Sequence, residues 1–225
     1  MQAVVSANRS RLCGVFRLSV GLLLALMVPG LHAETWQAGE HYEVLQVPVK
    51  TNDPDRVEVV EVFSYACIHC YNLDPAIEAW ASRQDSGVEF RRVPAIFSEM
   101  WAHFAQAYFT AQVLDVEDQV HTPLFRAIHQ QGVDLTTVAS MATLFQEVAG
   151  VDPEEFKSVF ESFAVRGRVQ QAQARTRAYR VSGVPTIIVN GKFRLDAQMA
   201  GGNPEMLELV DHLIESERSV SAAGS

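Results

Sequence analysis

Residues 57–80 read VEVVEVFSYACIHCYNLDPAIEAW. The apolar, β-branched opening, Val57, Val59, Val60, Val62 and Phe63, predicts a buried strand. A short turn, Ser64-Tyr65-Ala66, leads into Cys67-Ile68-His69-Cys70. From there Tyr71, Leu73, Ile77 and Trp80 fall mostly on one face of a helix. A strand running into C-x-x-C at the start of a helix is a thiol–disulfide redox arrangement. The first cysteine meets unpaired N–H groups and the positive end of the helix dipole, which favour a thiolate. The second lies one turn in, close enough to close a small disulfide loop.

Outward from this stretch, residues 1–33 form a separate unit. Arg9, Arg11 and Arg17 precede an uncharged apolar core at 18–28, too short to span a bilayer comfortably. Pro29 and Gly30 end that core, and Leu31-His32-Ala33 is a cleavage box. The pattern predicts a secretory signal peptide. Cys13 lies before the apolar core and leaves with the peptide, so the exported chain keeps two cysteines, Cys67 and Cys70. Removing three arginines and no acid takes the formal net charge from −9 to −12. No basic stripe is visible in the sequence, which argues against nucleic acid as a partner. Export places the cysteines where disulfides persist. A pair two residues apart constrains little of the unfolded chain, so its value lies in chemistry rather than stapling. The competing readings are a structural disulfide or half of a zinc site. Zinc needs two further ligands, and the histidines His41, His103, His121, His129 and His212 are scattered.

The rest of the chain alternates in texture. Residues 34–49 predict an extended lead-in and an edge strand. Residues 88–94 predict a strand parallel to the first. Residues 98–180 are almost wholly helical, with segments at 99–114, 116–130, 134–149 and from 153, then a polar helix at 168–179. A strand returns at 184–189, Asn190-Gly191 predicts a hairpin turn, and 192–195 is the return strand. A final amphipathic helix is expected from 204 to 217, then a disordered tail at 219–225. The expected fold is a single α/β domain with a helical insert. Residues 34–97 form its first part, 98–180 the helical insertion, and 181–218 its second part.

These residues carry a family resemblance. Glu61-Val62-Phe63-Ser64 leading into Cys67-Ile68-His69-Cys70-Tyr71, then Gly183-Val184-Pro185, then Val189-Asn190-Gly191-Lys192, resemble the DsbA family of bacterial thiol:disulfide oxidoreductases. Pro123-Leu124-Phe125 in the helical stretch also fits. Family members commonly place Pro then His between the cysteines. Here Ile68 replaces the Pro and His69 is kept, which bears on the redox potential more than on the reaction type.

The resemblance implies an α/β, thioredoxin-like fold with an inserted all-helical domain, and it implies roles. Cys67 is the nucleophile and mixed-disulfide sulfur, and Cys70 closes the internal disulfide. His69 adds a donor or a positive charge beside Cys67. Val184 and Pro185, the latter as a cis proline facing the cysteines, present backbone to an extended client as an added strand, with Ile68 also on the client side. Without the resemblance, Val184-Pro185 could be any turn. Glu61 has two readings. Strand alternation turns Glu58 and Glu61 to solvent; the family reading makes Glu61 a buried acid that exchanges a proton with Cys70, with Arg92 as its partner.

The expected function is a periplasmic disulfide oxidase, with reduced, unfolded exported proteins as clients. The resemblance also implies reoxidation by a quinone-coupled membrane protein of the DsbB type. A monomer is expected, and neither metal nor cofactor is implied. The rival on the same fold is a reductase or isomerase, commonly a dimer with an added dimerisation domain that is not visible here. A rival of another class is a peptide-binding chaperone with an incidental disulfide.

Overall fold

A computed structural model describes residues 36–223. The expected signal peptide, Cys13 and residues 224–225 lie outside the described part.

The sheet is built around β2 (Val57–Phe63). It pairs in parallel with β3 (Val88–Pro94) and antiparallel with β4 (Thr186–Val189). Beyond β4 come β5 (Phe193–Leu195) and the two-residue β1 (Glu43–Val44), both antiparallel to their neighbours. The order β1-β5-β4-β2-β3 leaves β3 at one edge. The expected edge strand at 34–49 is thus reduced to Glu43 and Val44.

Every residue of β2 is buried. Its alternation explains how. Val57 and Val59 enter one core with Leu73, Ile77 and Trp80 of α1 (Ile68–Ala81) and with Leu209, Val210 and Leu213 of α8 (Asn203–Ala223). Val60 and Val62 enter the other, with Phe104, Tyr108, Leu124, Phe125 and Phe145. A strand covered on both faces must be apolar along its length. The solvent-facing reading of Glu58 and Glu61 is therefore corrected. They are 1% and 2% exposed, because helices cover both sides of the strand that carries them.

The second core is supplied by α2 (Glu99–Val113), α3 (Glu117–His129), α4 (Val138–Ala149), α5 (Pro153–Phe160) and α6 (Phe163–Ala178), all between β3 and β4 in sequence. Their starts are written in capping residues. Ser98, Thr137, Asp152 and Ser162 each accept a bond from the first turn of the helix that follows. Ser162 starts α6 five residues before the expected position. Gly150 closes α4 in the left-handed region at φ +68°. Pro123 falls inside α3 rather than breaking it.

The hairpin turn follows its residues. Asn190 and Gly191 have φ of +50° and +63°, and Lys192 N–H donates to the Val189 carbonyl at 2.9 Å. A short helix, α7 (Ala197–Ala200), then precedes α8, with Asp196 as its cap. Helix α8 runs to Ala223, past the expected end at 217. The tail expected to be disordered from 219 is thus helical through Ala223. Among the described residues, no helix is long and apolar enough to cross a membrane.

Candidate active site

The redox turn sits where β2 ends. Cys67 N–H donates to the Ser64 carbonyl at 3.0 Å, and Ala66 N–H to the Ser64 hydroxyl at 3.2 Å. These bonds fold the chain tightly enough to start α1 at once. Cys67 is its N-cap, with extended backbone, and no carboxylate stands in the first turn. A cysteine has no oxygen with which to cap the helix, so the free N–H groups of the first turn face its sulfur.

Both cysteines are free thiols, Cys67 partly exposed and Cys70 fully buried. The Cys67 pKa falls from 9.0 to about 6. A hydrogen bond from the Cys70 thiol is the largest cause, and burial opposes it. The backbone N–H groups of Cys70 and His69 and the His69 charge add to the lowering. Burial drives Cys70 the other way, far above a free thiol, and the nearby Glu61 charge adds to that. The two sulfurs are thus held in opposite protonation states, the arrangement in which one thiolate is kept by the other's proton.

Across the turn lies the loop before β4. The Val184–Pro185 peptide bond is cis, and the Val184 carbonyl is 3.4 Å from the Cys67 sulfur. Val184 and Pro185 thus meet Cys67 from 117 residues away. Ile68 and His69 are exposed beside it, Ile68 at 45%.

Beneath the cysteines is a buried charged network. Glu61 and Arg92 are direct partners in the β2–β3 register, and Arg92 Nε donates to Glu61 Oε2 at 2.9 Å. The same guanidinium reaches Glu78 at 2.6 Å and Asp74 at 3.5 Å. Burial nevertheless pushes the Glu61 carboxyl up, with Arg92 opposing. Asp74 continues the chain. Its Oδ1 is 2.8 Å from His121 Nε2, and His121 Nδ1 is 2.8 Å from the Tyr65 hydroxyl. His121 thus bridges Asp74 and Tyr65, one ring nitrogen to each. The Tyr65 carbonyl, in turn, is 2.8 Å from His129 Nε2. Two histidines of α3 therefore grip the residue that leads into the redox turn.

Asp74, Glu78 and His121 bring ligand atoms within 4.8 Å of one another, the spacing of a metal site. The Arg92 guanidinium already lies against both of these carboxylates, so their charge is met by the protein's own cation.

Sequence reasoning reached Cys67, Cys70, His69, Glu61, Ile68, Val184 and Pro185, and the Glu61–Arg92 pairing. It passed over Asp74, Tyr65 and the roles of His121 and His129. One signal was available: Asp74 is a carboxylate on the apolar face of α1, one turn after Cys70.

Comparison with known proteins agrees with this geometry. Residues 86–213 match the family model described as DSBA-like thioredoxin domain. The thiol:disulfide interchange protein DsbA of Pseudomonas aeruginosa is 42% identical over 189 residues, covering 84% of this chain and 89% of that protein. The protein of the same name from Azotobacter vinelandii is 40% identical over 211 residues, covering 90% and 98%. The crystal structure of Pseudomonas aeruginosa DsbA superposes with a TM-score of 0.80 at 41% identity, over 83% of this chain and 97% of that one. An oxidoreductase DsbA from Xylella fastidiosa gives a TM-score of 0.77 at 34% identity. With its redox turn, cis proline loop and helices between β3 and β4, this chain belongs to the DsbA family of thiol:disulfide interchange proteins.

Proposed function

We propose that the protein is a disulfide oxidase that passes its Cys67–Cys70 disulfide to reduced, unfolded exported proteins. A client thiolate attacks the Cys67 sulfur and forms a mixed disulfide. The Cys67–Cys70 bond breaks, and Cys70 leaves with the electron pair and takes up a proton. Glu61, whose carboxyl is pushed up beside it, is the group assigned to supply that proton. A second client thiolate then attacks the client's own sulfur. Cys67 leaves as a thiolate, the client holds the disulfide, and the two electrons rest on the cysteine pair.

One observation carries this reading: the Cys67 pKa of about 6 in a partly exposed sulfur. A thiol that ionises readily is a good leaving group, and a stabilised reduced form makes the disulfide a strong oxidant. The Val184 carbonyl beside that sulfur is the place for an extended client to add a strand. Ile68 and Pro185 then line the client's path, and His69 supports the thiolate.

The same reading extends to the setting. Residues 1–33 direct export to the periplasm, residues 98–180 are an insertion into the thioredoxin-like domain, and the protein acts as a monomer. A DsbB-type membrane partner reoxidises the pair. The test is oxidation of a reduced, unfolded protein by the wild type and by Cys67→Ser. Equal rates reject the oxidase. A reduction potential as low as that of a cytosolic reductase would instead favour the reductase reading.

A further inference from the structure

The cationic residues of this acidic chain are unevenly placed. Residues 163–195 hold seven Lys or Arg side chains and no carboxylate, against a formal net charge of −9 for the whole. Five of the seven are arginines on α6 or just past its end, Arg166, Arg168, Arg175, Arg177 and Arg180. Two of these, Arg168 and Arg175, are seven residues apart and so share one helical face. They line a cavity of about 480 Å³ between α6, α2 and the edge strand β3. Neither cysteine lines it.

The cavity is short of negative charge. Arg91 and Arg175 sit at 3.3 and 3.7 Å from the two oxygens of one carboxylate, Glu58. Arg168 meets only a neutral acceptor, the Gln112 amide oxygen, at 3.3 Å. Glu117 is the one carboxylate among the lining residues. Arg175 is itself paired: Nη2 donates to the Asn52 side-chain oxygen at 3.0 Å, and Nη1, sealed from solvent, faces the equally sealed Glu58 Oε1 at 3.7 Å as an ion pair without a hydrogen bond. Among the described residues, Arg168 is the lining arginine left without a carboxylate partner.

We infer that this cavity binds a phosphate-bearing anion between Arg168 and Arg175, with the Gln112 and Gln171 amides as further donors. The planar fork of arginine suits a phosphate better than a spherical anion. The volume is that of a small-molecule site. Neither cysteine lines the cavity, although Arg92, the partner of Glu61, stands in its wall.

The test titrates the full chain with inorganic pyrophosphate, and separately with phosphatidylglycerol vesicles against phosphatidylcholine vesicles. Calorimetry reads the affinity, and amide NMR reads the location. Saturable binding of pyrophosphate, with shifts centred on Gln112 and on residues 168–175, supports a free anion as ligand. Binding only to the anionic vesicles, with the same dependence on Arg168, supports a lipid headgroup. Arg168→Glu should weaken either at least tenfold. Arg177→Glu makes the same charge change on an exposed site outside the cavity and should weaken binding far less. Equal loss in the two variants would mean diffuse attraction to a basic helix and would overturn the site. So would the absence of saturable binding in both arms.

Discussion

Lowering the pH through the Cys67 pKa tests the proposed chemistry most directly. That thiol is depressed from 9.0 to about 6 in the folded, reduced protein. A depressed group contributes stability that is fully present above its unfolded pKa and is lost as pH falls through its folded one. The reduced form therefore gains full stabilisation above pH 9, part of it at neutral pH, and none below about pH 6. The whole interval corresponds to about 4 kcal/mol. Cys67 is partly exposed, and solvent screening brings the expected gain to about 2 kcal/mol. The oxidised form has no thiol to ionise, so this gain appears as a gap in stability between the two redox forms. Denaturant melts of both forms across a pH series measure it. The reduction potential gives a second reading of the same group. Above pH 6 reduction takes up one proton for two electrons, and the potential should fall by about 30 mV per pH unit; below it two protons are taken up, and the slope should steepen to about 59 mV. A constant slope of about 59 mV across the neutral range, with a stability gap that ignores pH, would refute the reasoning. Cys67 would then be an ordinary thiol.

Other predictions follow from the same contacts. Cys70→Ser should accumulate mixed disulfides on Cys67 that do not resolve, visible on non-reducing gels, whereas Cys67→Ser should accumulate none. Arg92→Met leaves Glu61 and Asp74 buried without their cation, and should lower unfolding stability by about 3–5 kcal/mol; a loss below about 1 kcal/mol would mean those carboxyls are neutral in the native protein. His121→Phe keeps the ring but removes both of its bonds, and chemical denaturation should show a loss of about 1–3 kcal/mol. Two glycines should behave in opposite ways. Gly191→Ala drives a Cβ into the Val49 carbonyl oxygen at φ +63°, and should be strongly destabilising. Gly167→Ala, inside α6 with open space around it, should raise thermal stability by the equivalent of about 0.5–1 kcal/mol.

Local chemistry was legible wherever one segment carried it all. The run of β2, the turn at 64–66 and the helix after Cys67 sit next to one another in the chain, and so do Asn190 and Gly191. Cap residues such as Asp152 mark helix starts without outside help. Errors fell where neighbours distant in sequence decide. Glu58 reads as a solvent-facing acid by alternation alone, and only the helices packed over β2 bury it. Helix α8 continues past 217, and Glu217 is held by Lys192 of the hairpin at 2.5 Å, a partner that no local pattern announces.

From sequence alone came a redox pair at a helix N-terminus, in an α/β chain interrupted by helices. Periodicity and the helix dipole act over a few residues, so a linear string can express them. Tertiary structure alone set the Val184 carbonyl against the Cys67 sulfur, joined Asp74 to His121 and Tyr65, and gathered four arginines from β3 and α6 around a cavity. Each of these depends on close approach between segments dozens of residues apart. Burial and charge pairing vary with distance in space, and the order of residues along a chain does not specify that distance until the chain has folded.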